Sequence, residues 1–146
     1  MVTFSIGGND LRALLTDPAC SPVPTAACQG AVGQVLLTVQ ANLVTIMGTL
    51  RTAAGPDAVI ATMTYYNPFV GVCAVPGPLG GLIPVVLAGL NGVITGTAAA
   101  FDVLVAPVAS AGIGPADLFG DCIHPDDSGY AKIAQAFAGV IDPALP

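Results

Sequence analysis

The residues best suited to chemistry lie in Asp121-Cys122-Ile123-His124-Pro125, which holds the only histidine of the 146-residue chain. Imidazole is the side chain whose ordinary pKa lets it take up and return a proton near neutral pH. An aspartate three residues earlier, on a loop, can turn back and hydrogen-bond one ring nitrogen. The other nitrogen is then free to act on a nucleophile. The same five residues would equally serve as a solvated loop. A second stretch worth weighing is Gly7-Gly8-Asn9-Asp10, where paired glycines let the backbone approach a ligand closely. Asn-Asp is also an ordinary turn and helix cap.

Composition bounds what these residues can serve. The chain is 54% hydrophobic and 8% charged, with nine Asp, no Glu, two Arg and one Lys, and a net charge of −6. An acidic chain lacks the basic face that nucleic acid requires, so no nucleic-acid partner is expected. Mean hydropathy is +0.82, and Leu82–Ala100 is apolar enough to be considered as a membrane span. Pro84, Gly89, Asn91, Gly92 and Gly96 interrupt it, and no Lys or Arg flanks it. A buried helix of an α/β domain fits it better.

Cys20, Cys28, Cys73 and Cys122 contain no Cys-x-x-Cys pair, and with one histidine they make a poor zinc set. No metal or cofactor is expected. Four cysteines allow two disulfides in three connectivities, as in an exported protein, or four free thiols in a cytosolic one. Pairing Cys20 with Cys28 leaves Cys73 with Cys122, which would tie down the loop that carries His124. No signal peptide precedes this, because Met1 leads straight into Val2–Ile6, a strand-like run.

The elements needed to position these residues alternate along the chain. Val2–Ile6 reads as a strand ending at Gly7-Gly8, followed by a helical turn over Leu11–Leu15 and a proline loop over residues 16–28. Apolar residues at three- and four-residue steps predict a helix over residues 29–53, stopped by Gly55-Pro56. Ala58–Tyr65 is a second strand, residues 70–81 a Gly/Pro-rich loop, Leu82–Phe101 a helix and Asp102–Ala106 a third strand. After His124, Ser128 or Asp127 can cap a last helix over Gly129–Val140. This alternation implies right-handed crossovers and a parallel sheet with helices on both sides. Ligands of such sheets sit beyond the C-terminal strand ends, where Gly7–Asp10 and the His124 loop would meet.

Gly7-Gly8-Asn9-Asp10 after a strand, and Asp121-x-x-His124-Pro125 before the last helix, resemble the third and fifth sequence blocks of the SGNH or GDSL hydrolases. Val-Thr-Phe-Ser-Ile and Tyr65-Tyr66-Asn67-Pro68 look like secreted lipases and esterases of the same family. The resemblance implies a three-layer α/β/α flavodoxin-like domain spanning 1–146. It further implies carboxylic ester hydrolysis on ester or lipid substrates and an extracellular location. His124 would be the general base, Asp121 its orienting carboxylate and Asn9 an oxyanion donor. Gly7 would allow the strand-to-loop turn, and Asp10 would hold that loop.

The family's Gly-Asp-Ser block, which supplies the nucleophile, has no counterpart. Ser5, Ser21, Ser110 and Ser128 are the only serines, and none follows Gly-Asp. On the resemblance, the chain corresponds to the C-terminal two-thirds or so of such a hydrolase, without its N-terminal strands. The Val2–Ile6 edge would then be open and could pair two copies. The competing expectation is a noncatalytic SGNH-like subunit acting by binding or assembly.

Overall fold

A computed structural model describes residues 1–21 and 23–145; Pro22, read as part of the proline loop, lies outside them. The fold is mixed α/β, mostly helical, around a small parallel sheet. Strands β1 (Val2–Thr3), β2 (Ile60–Met63) and β3 (Leu104–Ala106) lie in the order β1-β2-β3. Val2 pairs with Ile60, and Ala61 with Leu104, both in parallel. The helices are α1 (Gly8–Arg12), α2 (Ala26–Ala54), α3 (Gly77–Ala99) and α4 (Asp127–Ile141).

Each strand is shorter than its apolar run. β1 stops at Thr3 rather than Ile6, although Phe4 N–H still donates to the Ala61 carbonyl at 3.1 Å. The run ends where Gly7 turns the chain at φ 116°, a left-handed value that only glycine takes without cost. A Cβ at Gly7 would also meet Leu90 at 2.9 Å, so the turn is pressed against α3.

Val39, Leu43 and Met47 of α2, four residues apart, are buried on one stripe. They pack with Leu90, Ile94 and Ala98 of α3, with Ile60 of β2 and with Val103 just before β3. By length and composition alone, α2 and α3 could each cross a membrane. Here their buried stripes form the core, and the outer face of α2 carries threonines whose hydroxyls bond back to the carbonyl four residues earlier. Side chains alternate faces along a strand. Met63 and Ala106 therefore face a second cluster, completed by Ile133, Phe137 and Val140 of α4.

Helices begin earlier than expected, and α3 ends at Ala99 rather than Phe101. The helix expected from residue 29 begins at Ala26 and takes in Cys28, and that expected from Leu82 begins at Gly77. The last helix is capped by Asp126, not by Asp127 or Ser128. Its carboxylate accepts the amides of Ser128 and Gly129 at 2.8 and 3.0 Å.

Two disulfides, Cys20–Cys28 and Cys73–Cys122, are formed. In the chain-entropy account the second, spanning 49 residues, is worth about 4 kcal/mol and the first, spanning 8, about 2.5 kcal/mol. Both fit an oxidising compartment. Arg51, near the end of α2, donates to the carbonyls of Gly55, Pro56, Ala58, Phe101 and Asp102. One guanidinium thus joins the turns that lead into β2 and β3.

The turn into α4 depends on Asp117. Its buried carboxylate accepts from Lys132 Nζ at 2.7 Å, Gly114 N–H at 2.9 Å and Ser128 Oγ at 3.0 Å. The Lys132 hydrogen bond, then the Gly114 amide, hold its pKa down to about 2. The unfolded value is about 3.9, so this stabilisation is complete above that pH and is lost as pH falls through about 2. Parent and Asp117→Asn should therefore differ in urea midpoint at about pH 5 and converge by about pH 2. A gap that stays constant over that range would show that the Asp117 charge does not contribute.

Candidate active site

The Asp121–Pro125 loop is built by local backbone bonds before any chemistry is asked of it. Phe119 N–H donates to the His124 carbonyl at 2.9 Å, Cys122 N–H donates to the Phe119 carbonyl at 3.0 Å, and Leu118 bridges Pro125. Cys122 sits at φ 58°, left-handed and uncommon for a residue with a Cβ. Its bond to Cys73 ties this turn to the loop before α3.

Inside the turn, one carboxylate does two jobs. Asp121 Oδ1 accepts the amides of Ile123 and His124 at 2.9 and 3.0 Å, and Oδ2 meets His124 Nδ1 at 2.5 Å. The His124 side-chain bond first, and then these two amides, hold the Asp121 carboxyl well below the usual carboxylate range. Asp121 thus stays ionised near neutral pH and faces Nδ1 as an acceptor. With Nδ1 engaged by Asp121, Nε2 is the ring nitrogen left to work on a second group.

His124 opens onto a cleft of about 580 Å³ beyond the C-terminal ends of the strands. This size falls within the range of small-molecule sites, roughly 300–1,000 Å³. Asn9, exposed on α1, lines the same cleft, as do Gly8, Ser5, Tyr65 and Tyr66. The cleft thus brings His124 and Asn9 together from opposite ends of the chain, with Asp121 joined through His124. Asp10, expected to hold the Asn9 loop, makes no side-chain hydrogen bond among the described residues. Tyr65 packs against that loop. Its ring lies against Gly8, where a Cβ would come within 2.7 Å, and Ser5 lines the cleft beside it. Burial pushes the Tyr65 phenol up.

Tyr66 acts on the other loop. Its hydroxyl donates to the Ile123 carbonyl at 2.7 Å, one residue before His124. Burial first, and then the neighbouring Tyr130 and Asp121, push its pKa up to about 12, so it remains a donor. Asn91 of α3 fixes the backbone between these two rings, accepting Tyr65 N–H at 2.7 Å and donating to its carbonyl at 2.9 Å. Tyr65 lies two residues past β2, and the Asn91 amide stands in for a neighbouring strand.

No nucleophile completes the arrangement among the described residues. Ser5 is the one serine lining the cleft, and no hydroxyl is hydrogen-bonded to His124. Ser128 is committed to Asp117 and Asp126, and Ser110 to the Pro107 carbonyl. No cluster of three or more His, Cys or Asp side chains suited to a metal occurs among these residues. No protein-family model, curated protein or solved structure matches the chain.

Tyr66→Phe should leave the Ile123 carbonyl without its donor and cost about 1 kcal/mol of stability. The amides of Ile123 and His124 should then exchange with deuterium several-fold faster, while those of β2 hold their rates. Unchanged exchange at both amides would remove Tyr66 from the account of how the His124 loop is held.

Proposed function

We propose that this chain carries the general-base and oxyanion-donor portion of a carboxylic ester hydrolase of the SGNH or GDSL type. In this reading the sheet and helices belong to a three-layer α/β/α flavodoxin-like domain. The protein is exported, and ester or lipid substrates enter the cleft. The observation that carries the reading is the Asp121–His124 pair opening onto the same cleft as the Asn9 amide. His124 Nε2 takes the proton of an attacking hydroxyl, and Asp121 stabilises the imidazolium that forms. Asn9 donates to the oxyanion of the tetrahedral intermediate. The attacking serine comes from outside these residues, on a Gly-Asp-Ser segment that packs at the open side of β1.

On this reading the chain by itself hydrolyses short-chain aryl esters little faster than buffer, since base and nucleophile act as a unit. Supplying a Gly-Asp-Ser segment, joined ahead of Met1 or as a separate fragment, should bring activity. Asn9→Ala should then lower kcat by about 100- to 1,000-fold. Activity that survives His124→Ala would sink the assignment of the base.

A second reading, a noncatalytic subunit working by assembly, is favoured by β1 itself. Its one strand neighbour is β2, and the amides of Val2 and Phe4 point that way. Backbone alternation leaves the Thr3 and Ser5 amides on the open side, a template for another strand. Two copies pairing through Val2–Ile6 should give a dimer at micromolar concentration by light scattering, and a proline at Thr3 should abolish it. A clean monomer from the unaltered chain would count against the assembly reading.

A further inference from the structure

The cleft has a charge pattern that its acidic chain would not lead one to expect. None of the nine aspartates lines it, whereas one of the three cationic side chains, Arg12, does. The other two are spent on the fold: Arg51 on five backbone carbonyls, Lys132 on Asp117 and the Gly112 carbonyl. Arg12 is exposed in the last turn of α1 and makes no hydrogen bond or ion pair among the described residues. Leu11, Leu14, Leu82, Ile83 and Val86, from the α1 region and the first half of α3, line the same cleft.

We propose that this cleft binds a single-chain amphiphile with an anionic head, its alkyl chain along these aliphatic side chains and its head on Arg12. The five aliphatic walls offer an alkyl chain no polar partner and gain only from excluding water. A guanidinium fork holds a carboxylate or phosphate through paired charge-assisted hydrogen bonds. The net charge of −6 repels anions at long range. Salt screens that repulsion over about 10 Å at 0.1 M, whereas a contact with Arg12 is made inside that distance. The inference rests on the hydrolase reading only in naming this ligand as substrate or product, because binding can be read without turnover.

Calorimetry on the chain as it stands tests it, with octanoate, octyl phosphate, 1-octanol and acetate. Octanoate or octyl phosphate should bind at least about tenfold more tightly than octanol, and acetate should not bind measurably. The tighter of the two anions identifies the head as carboxylate or phosphate. Arg12→Gln should bring the anions down to the affinity of octanol, and Arg12→Lys should restore part of the difference. Since Arg12 is exposed, both variants should keep the parent melting temperature. Neither anion binding more tightly than octanol, or binding of the tighter anion unchanged in Arg12→Gln, would overturn the proposal. Arg12-dependent binding without His124-dependent hydrolysis in the Gly-Asp-Ser-supplemented protein would keep this site and discard the esterase. Hydrolysis without Arg12-dependent binding would do the reverse.

Discussion

The clamp between Asn91 and the backbone of Tyr65 is the contact on which the geometry of the cleft rests. A parallel sheet of two- to four-residue strands runs out of ladder partners almost at once. Buried or half-buried backbone beyond the last pair must still find hydrogen bonds, since an unpaired group costs about 1–3 kcal/mol. Past Met63 the Thr64 amide still reaches the Ala106 carbonyl, and the Asn91 side chain serves both polar groups of Tyr65. The extended path of β2 therefore continues for two residues beyond its ladder. Alternation along that path sends Tyr65 toward the Asn9 loop and Tyr66 toward the His124 loop. One amide on a core helix thereby fixes the residues that touch both halves of the candidate site.

Scarcity of charge shapes the rest. Arg51 and Lys132 each satisfy acceptors that would otherwise be stranded at turns, and each joins segments far apart in sequence. Lys132 and Asp117 hold the first turns of α4 to the loop before Phe119, which sets where the His124 turn begins. With two cations committed to the fold, the position of the third carries information that it would not carry in a lysine-rich chain.

Much of this was legible in the sequence. The alternation of strand and helix, the order of the elements and the meeting of Asn9 with His124 follow from periodicity, punctuation and two short motifs, and the disulfides formed are one of the three connectivities that four cysteines allow. What escaped was set by contacts between distant residues. Asp126, Asp127 and Ser128 are all good caps, and local rules cannot rank them; Asp117 and Lys132, reaching Ser128 and α4 from outside, decide the register. Val2–Ile6 looks like one strand because all five residues suit a sheet. Its ladder ends after Thr3 because Gly7 must turn against Leu90. Asn91 read as an interruption in an apolar helix, and its purpose emerges only with Tyr65 beside it. The resemblance gave Asp10 the task of holding the Asn9 loop; the Tyr65 ring, which lies against Gly8 in that loop, was not marked by any motif.

His124 itself belongs to no helix or strand, so its precision has to come from tethers. The turn is held by the Leu118–Pro125 bridge at its base, by Cys73 through Cys122, by Tyr66 at the Ile123 carbonyl, and by Asp121 from within. Each hydrogen bond contributes about 1 kcal/mol net, too little to fix an exposed side chain alone. The tethers reach the turn from three directions and share residues: Asp121 binds the backbone of His124 as well as its ring. The same backbone bonds that close the turn therefore set the carboxylate beside the ring. Closure of the turn thus brings carboxylate and imidazole together on a loop only six residues wide between Phe119 and His124.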